Sequence, residues 1–413
     1  MRAASLSVVI LFLISAGAHA AERTFQLTVA AGQWDRVNVP ICVPANELPQ
    51  LAGARSVTLV DASGQPIPAQ LTRPGLLRPA GAKDACELHF IVPRLKAGEM
   101  TTLKATFSTE PPAVDGFAWD DRPGEYAELR YGRRPVLRYM YHTFDDSTKE
   151  KRDLTFKVFH HLYDPDGTRL VTKGAGGQYP HHRGLFYGYN RISYGGKNAD
   201  VWHCTGDAHQ AHVRFLSVEA GPVLGRHRVE VAWRGPGKET FATELRELTV
   251  YHVPGGHLVE FASELRSHVG PVKLDGDPQH AGFHFRADNE VAIATAKQTY
   301  FLRPDGPSKP GESRNWPADK NHVNLPWNAM SFVLGGQRYT CAYLDRPDNP
   351  KEARFSERPY GRFGSYFPFE LNEKQPVLAI RYRLWLQKGE MTVPQVSEHS
   401  TNFVHPPAVT VKK

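Results

Sequence analysis

Apolar and polar residues alternate with a period of two along much of this chain, and stretches with helical periodicity are scarce, so strands are the default element. Residues 24–29 (Thr-Phe-Gln-Leu-Thr-Val) alternate. Residues 57–60 lead into the turn Asp61-Ala62-Ser63-Gly64, and 88–92 and 102–107 alternate again. These segments predict a small N-terminal β-sandwich over residues 21–110, followed by a Pro- and Gly-rich linker over 111–125. The clearest hairpin has arms at 241–253 and 257–268 around Pro254-Gly255-Gly256, and such long arms suit a broad antiparallel sandwich. Further strands are expected at 272–274, 280–286, 330–334, 341–344 and 377–387, with one short helical turn at 149–154. The fold class is therefore all-β, with a large antiparallel domain over 126–405 and a tail at 406–413. No internal repeat of propeller or solenoid type is present.

The first residues change the picture by setting a compartment. Arg2, an apolar run over 6–14 broken by Ser7, and Ala18-His19-Ala20 predict a signal peptide over 1–20 and a secreted or periplasmic protein starting at Ala21. No later run reaches the ~18 to 20 apolar residues of a spanning helix, so no transmembrane segment is expected in the mature chain. The formal charge of the full chain is +7, but Lys and Arg are scattered, and no nucleic-acid-binding module is recognisable. A glycan or another polar small molecule is the expected partner, and nucleic acid is not. Four cysteines, Cys42, Cys86, Cys204 and Cys341, form no CxxC pair. An oxidising compartment permits a Cys42–Cys86 bridge, with four free thiols as the alternative.

Candidate chemistry concentrates in the middle of the large domain, where thirteen of nineteen histidines lie between His160 and His284. The run from Tyr179 through Pro180-His181-His182-Arg183-Gly184 to Tyr187, Tyr189 and Asn190, continuing to Asp200, Trp202 and His203, sets imidazoles, a fixed cation and aromatic faces among glycines. Arg183 offers a planar fork for a carboxylate or sulfate. Tyr187, Tyr189 and Trp202 offer faces on which a sugar ring can stack. An aromatic core cluster with a structural histidine is the alternative. His181 and His182 point to opposite faces if their segment is a strand, whereas in a glycine-flanked loop both can meet one ligand. In the strand 280–286, His280, Gly282, His284 and Arg286 line one face, and Ala281, Phe283 and Phe285 the other. Asp277 stands just before this strand, placed to fix an imidazole tautomer. An exposed polar sheet face explains the same pattern without function.

Asp277, His280 and His284 do not make a metal site in an extended chain: four residues at ~3.3 Å each separate the two histidines by about 13 Å, against metal–ligand bonds of about 2 Å. A metal shared among His181 or His182, His203 and His209 lacks a recognised ligand spacing, so no metal or other cofactor is predicted. There is no G-x-S-x-G elbow, and Gly174-Ala175-Gly176-Gly177 lacks the Lys-Ser/Thr of a phosphate loop. Glu244, Glu247, Glu260 and Glu264 lie on the long hairpin as carboxylate candidates. A second Arg/aromatic/Gly segment over 358–367, including Arg362, is placed to cap the same cleft. The expected catalytic residues are His182, His280, Arg183 and Arg286. Those expected to bind substrate are His181, Tyr187, Tyr189, Trp202, His203, His284, Asp277 and Arg362.

The element Pro180-His181-His182-Arg183-Gly184-Leu185, with Asp200-Val201-Trp202, the strands that follow and the segment 358–369, resembles a family of secreted bacterial proteins labelled methane oxygenase PmoA-like. The resemblance covers roughly 126–392, and segment 276–282 is worded differently from the family's usual Gly/Asp/Lys strand. The monooxygenase subunit of that name is an integral membrane protein, so the label conflicts with this chain. The resemblance implies a β-supersandwich similar to sugar mutarotases and polysaccharide lyases, and a carbohydrate ligand. The expected function is that of a carbohydrate-active lyase, epimerase or hydrolase. In the first two, a histidine or tyrosine takes a proton beside a carbonyl or carboxylate, and Arg183 or Arg286 stabilises the developing charge. A non-catalytic glycan-binding envelope protein and a copper or zinc enzyme are the alternatives.

Overall fold

The longest alternating stretches pair as expected. Thr240–Val253 and Gly256–Ser267 form an antiparallel hairpin with continuous register from Ala242↔Ser267 to Val253↔Gly256. It lies inside a nine-stranded sheet that runs from His209–Ala220 at one edge, through Val377–Lys388, to Gly306–Pro307 at the other. An eight-stranded sheet faces it, with strand order Arg354–Arg358, Arg362–Tyr366, Ala281–Arg286, Leu185–Tyr189, Phe159–Leu162, Arg134–Met140, Tyr126–Tyr131 and Phe117–Arg122. Their shared core includes Leu185, Tyr187, Phe261, Phe283, Phe285 and Tyr382. The Phe283 ring stacks on Phe261 at 4.2 Å.

The computed structural model describes residues 23–44, 47–48, 53–78, 86–110 and 116–412, so the expected signal peptide lies outside the described residues. The N-terminal region is a β-sandwich of a five-stranded and a three-stranded sheet around Leu27, Val29, Ile41, Phe90, Leu103 and Phe107. Two expectations need correction. Part of the stretch read as linker, 111–125, is the strand Phe117–Arg122, which pairs with Tyr126–Tyr131 and buries Phe117. The stretch read as a tail, 406–413, supplies Ala408–Lys412, which pairs with Arg23–Ala30 in the N-terminal sandwich. The chain is all-β apart from short helical pieces. Lys149–Thr155 is helical where one turn was expected. Val393–Val404 is a further helix, started by a capping box between Thr392 and Gln395, and it buries Val396 and Phe403. All four cysteines are free thiols, so the Cys42–Cys86 bridge is absent; Cys42 Sγ lies 3.7 Å from His89 Nε2.

Period-two geometry makes the strand Ala281–Arg286 two-sided. Ala281, Phe283 and Phe285 enter the core, and His284 and Arg286 point to the outer face of the eight-stranded sheet. That face is not solvated, since both residues are 1% exposed beneath the loops that cover them. Close packing demands glycine at position 282, where φ is +90° and a Cβ would meet the Ser365 carbonyl at 2.0 Å.

Candidate functional site

Three loops converge over the outer face of the eight-stranded sheet. The first carries His181 and His182 in a turn closed by the His182 amide donating to the Tyr179 carbonyl at 3.0 Å. Because this is a turn and not a strand, the adjacent imidazoles share one space, with ring centroids 4.4 Å apart. Of the two alternatives, the glycine-flanked loop holds and the strand, which would divide them between two faces, does not. The second loop brings His203, whose ring lies 4.5 Å from His181 and 4.6 Å from His280. The third brings His280, 5.5 Å from His181 and 5.9 Å from His182. His209, by contrast, stacks on Phe144 and bonds through Nδ1 to the Asp207 carbonyl, outside the cluster.

Two carboxylates set the orientation of this cluster. Asp200 Oδ1 accepts from the amides of Trp202 and His203, while its Oδ2 lies 2.8 Å from His203 Nδ1. Asp277 repeats the arrangement: its oxygens lie 3.0 and 3.1 Å from His280 Nδ1, and it also accepts from the Gln279 amide and from Asn190 Nδ2. An ionised carboxylate only accepts, so Nδ1 of each ring is the donor and Nε2 is turned away from its carboxylate. Burial alone would raise the Asp277 carboxyl, but the hydrogen bond and charge of His280, with the Gln279 amide, hold it well below the usual carboxylate range.

His181 and His182 have no carboxylate partner. His181 Nε2 and both nitrogens of His182 are buried without any hydrogen bond. Burial first, then Lys157, His203 and His280, pull the His181 imidazole down to about 3. Burial, with Arg362 and His181 next, lowers His182 further. Both rings are neutral, with lone pairs closed off from water. One nitrogen from each of His181, His182 and His280 lies within 4.8 Å of the others, a separation from which three ligands can close on one cation. Among the described residues, sequence spacing hid this set because its members come from two loops about a hundred positions apart.

The layer beneath is structural. Lys157, fully buried, donates to the His181 carbonyl at 2.7 Å and also to the Trp202 carbonyl, tying two of the loops together. Arg183 corrects another expectation: its two Nη atoms donate to the carbonyls of Pro180, His182 and Asp153 and it lies over Phe156, so it braces the turn from a buried position, with Nε left without a partner. Tyr187 and Tyr189 share the parity of Leu185 and face the inter-sheet core, where Tyr189 donates to the Phe367 carbonyl. They cannot stack on a ligand at the outer face. Trp202 is 2% exposed and packs on Phe186 and His284, forming a floor under the cluster and no stacking platform. His284 is likewise buried, and its Nδ1 accepts from Arg362 Nη1 at 3.0 Å. The hairpin carboxylates are all engaged elsewhere: Glu244 with Arg246, Glu247 with Arg228, Glu260 with Arg383 and Glu264 with Arg266.

The rim holds Tyr179, 38% exposed, and Tyr360, whose ring lies 4.7 Å from Tyr179 and 6.0 Å from His182. A cleft of about 580 Å³ opens beside the cluster, lined by Asn190, Ser193, Asn198, Asp200, Lys273 and Asp275 among others. Asn190 and Asp200 belong to both, since they hold Asp277 and His203. Arg358, which opens the segment expected to cap the cleft, stands directly opposite Arg362 on the neighbouring strand.

Fold and site together define an all-β protein with a partly buried histidine cluster, oriented by carboxylates, on one sheet face. Residues 126–401 match a family of unknown function (DUF6807), and the chain belongs to that family; the match supplies no methane oxygenase label. No curated protein matches the chain. Among solved structures, it is similar to a protein in the glycosyl hydrolase family 38 and to an alpha-mannosidase, both from Enterococcus faecalis. Each is 9% identical with a TM-score of 0.45, and the matches cover 94% of this chain but 47% and 46% of those chains. The chain thus spans about half the length of these structures.

Proposed function

We propose that this protein is an exported metal-dependent enzyme of carbohydrate chemistry, a lyase, epimerase or hydrolase, with a divalent ion held by His181, His182 and His280 and with His203 beside them. The observation that carries this reading is the set of three mutually facing imidazoles, of which His181 and His182 hold buried nitrogens without protein partners. Buried polar atoms without partners are costly, and a cation would take up one nitrogen from each ring. The Asp277–His280 pair is the carboxylate–histidine arrangement that fixes a ligand's tautomer and raises its basicity. Three protein ligands leave a position open, at which an ion polarises a substrate oxygen or acidifies water. The adjoining cleft is of a size for one or two sugar rings and is lined by amides, hydroxyls, carboxylates and the cations Arg191 and Lys273. Export is supported by the N-terminal sequence.

Elemental analysis of the purified full chain, after dialysis and after reconstitution with zinc, copper or manganese, tests the reading. A stoichiometric metal is expected, and His182→Ala and His280→Ala should each lose it, together with turnover on the glycan that the wild type processes, while glycan binding is retained. Substoichiometric metal under every reconstitution eliminates the metal centre. Parallel loss of glycan binding in both variants, with no turnover on any glycan, replaces the enzyme with a binding module.

A further inference from the structure

Three arginines stand in a row across the outer face of the eight-stranded sheet. The register pairs Arg286 with Arg362 and Arg362 with Arg358, so the three side chains leave the same face from directly opposed positions on adjacent strands. Opposed like charges destabilise a sheet. Arg286 and Arg362 are each 1% exposed, and their hydrogen bonds go to neutral acceptors. Arg286 Nη1 donates to the carbonyls of Ala287 and Tyr360. Arg362 donates to the Pro278 carbonyl, His284 Nδ1, the Tyr360 hydroxyl and Ser356 Oγ. Arg286 Nε and Nη2 are buried with no partner. Arg358 donates one bond, to the Glu357 carbonyl, and is half-buried at the open end of the row. Among the described residues, no Asp or Glu forms an ion pair with any of the three.

The row adjoins the histidine cluster. The Arg286 guanidinium lies 5.0 Å from the Tyr360 ring, which in turn faces His182. Arg362 reaches the Pro278 carbonyl in the turn that carries Asp277 and His280. Asp277, the nearest carboxylate of that turn, is already engaged by His280 and Asn190. Burial, and then the neighbouring arginine, lower both Arg286 and Arg358 from the ordinary guanidinium value, Arg286 to about 10. Buried cations without a counter-charge are a cost that a protein carries where a ligand removes it.

We infer that this row is an oxyanion subsite, with Arg358 as the accessible fork and Arg286 and Arg362 behind it, and that the substrate of the histidine centre is an anionic sugar bearing a carboxylate or a sulfate. The inference rests on the reading of that centre as a site of carbohydrate chemistry and names its substrate class. A planar fork matches two oxygens of either group. A divalent ion at the imidazoles would add positive charge beside the row, so ion and oxyanion each strengthen the binding of the other.

Calorimetric titration of the full chain with D-galacturonate, D-glucuronate, glucose 6-sulfate and D-glucose, with and without added metal, tests it. An anionic sugar is expected to bind roughly tenfold or more tighter than glucose, with an affinity that falls as salt rises. Arg358→Gln should remove most of that preference and leave both the metal content and the weak binding of glucose unchanged. The two uronates against the 6-sulfate tell carboxylate from sulfate recognition. Glucose binding as tightly as every anionic sugar, no binding by any anionic sugar, or an Arg358→Gln variant with undiminished preference overturns the inference. Metal analysis on the same samples keeps the two readings apart. Arg358-dependent anion binding by a metal-free protein removes only the metal centre, and stoichiometric metal with no anion preference removes only the oxyanion subsite.

Discussion

The two sheets of the large sandwich both bury arginines, and they neutralise them in opposite ways. In the nine-stranded sheet Arg246, Arg228 and Arg383 each have a carboxylate on their own or a neighbouring strand. Arg246 bonds Glu244 twice at 2.8 Å, Arg228 meets Glu247 at 2.6 Å, and Arg383 meets Glu260. In the eight-stranded sheet Arg286, Arg362 and Arg358 have only carbonyls, a hydroxyl or an imidazole. The first arrangement is complete within the chain and explains a stable sheet. The second leaves charge unbalanced beside imidazoles without partners, and it is this face that the proposed metal and oxyanion sites occupy.

The contrast can be broken at either end. The largest effect is expected from Glu244→Gln, which leaves the fully buried Arg246 without its counter-charge and should cost about 3–5 kcal/mol in urea unfolding. A cost below about 1 kcal/mol, the range of an exposed pair, would mean that the paired sheet does not depend on its pairs. Next, Asp277→Asn keeps the size of the side chain but weakens its hold on His280, and should lower metal affinity by about 10–100-fold in a competition titration. Unchanged affinity would remove Asp277 from the centre.

Acid titration probes a paired arginine from the other side. Burial opposes ionisation of Glu260, yet Arg383 and then Arg78 pull its folded value down to about 2, below its unfolded value of about 4.3. A depressed carboxyl contributes stability that is present above the unfolded value and is lost as pH falls from about 4 towards about 2. The wild type should therefore lose stability over that window, and Glu260→Gln should show a shallower acid limb in denaturant midpoints. Equal slopes would contradict the pairing. The smallest effect belongs to Arg358→Gln in the absence of ligand: relief of an opposed like charge should leave the protein as stable or up to about 1 kcal/mol more stable. A clear loss of stability would show that Arg358 holds the fold together, as Arg246 does.

Much of the sandwich was legible because β geometry is local. Alternation located the long hairpin, and it sorted Phe283 and Phe285 from His284 and Arg286. The capping box Thr392-Val393-Pro394-Gln395 announced a helix that was overlooked because its apolar positions are sparse. Tyr187 and Tyr189 were misread although Leu185, two residues away, signals an inward parity. Segments 117–122 and 408–412 carried little strand signal, since each is an edge strand with few buried positions.

The sequence by itself determined that this is an all-β chain with its chemistry gathered around a His-His-Arg-Gly run, because strand period and residue type are properties of neighbours. Only the tertiary structure decided how the run is used. It turned both histidines towards His280, engaged both Nη atoms of Arg183 with carbonyls, sank Trp202 into the floor and aligned Arg358 with Arg362 and Arg286. Those outcomes depend on loop turns and strand register that join residues up to about a hundred positions apart, and no local pattern encodes which lone pair or cation will be left without a partner.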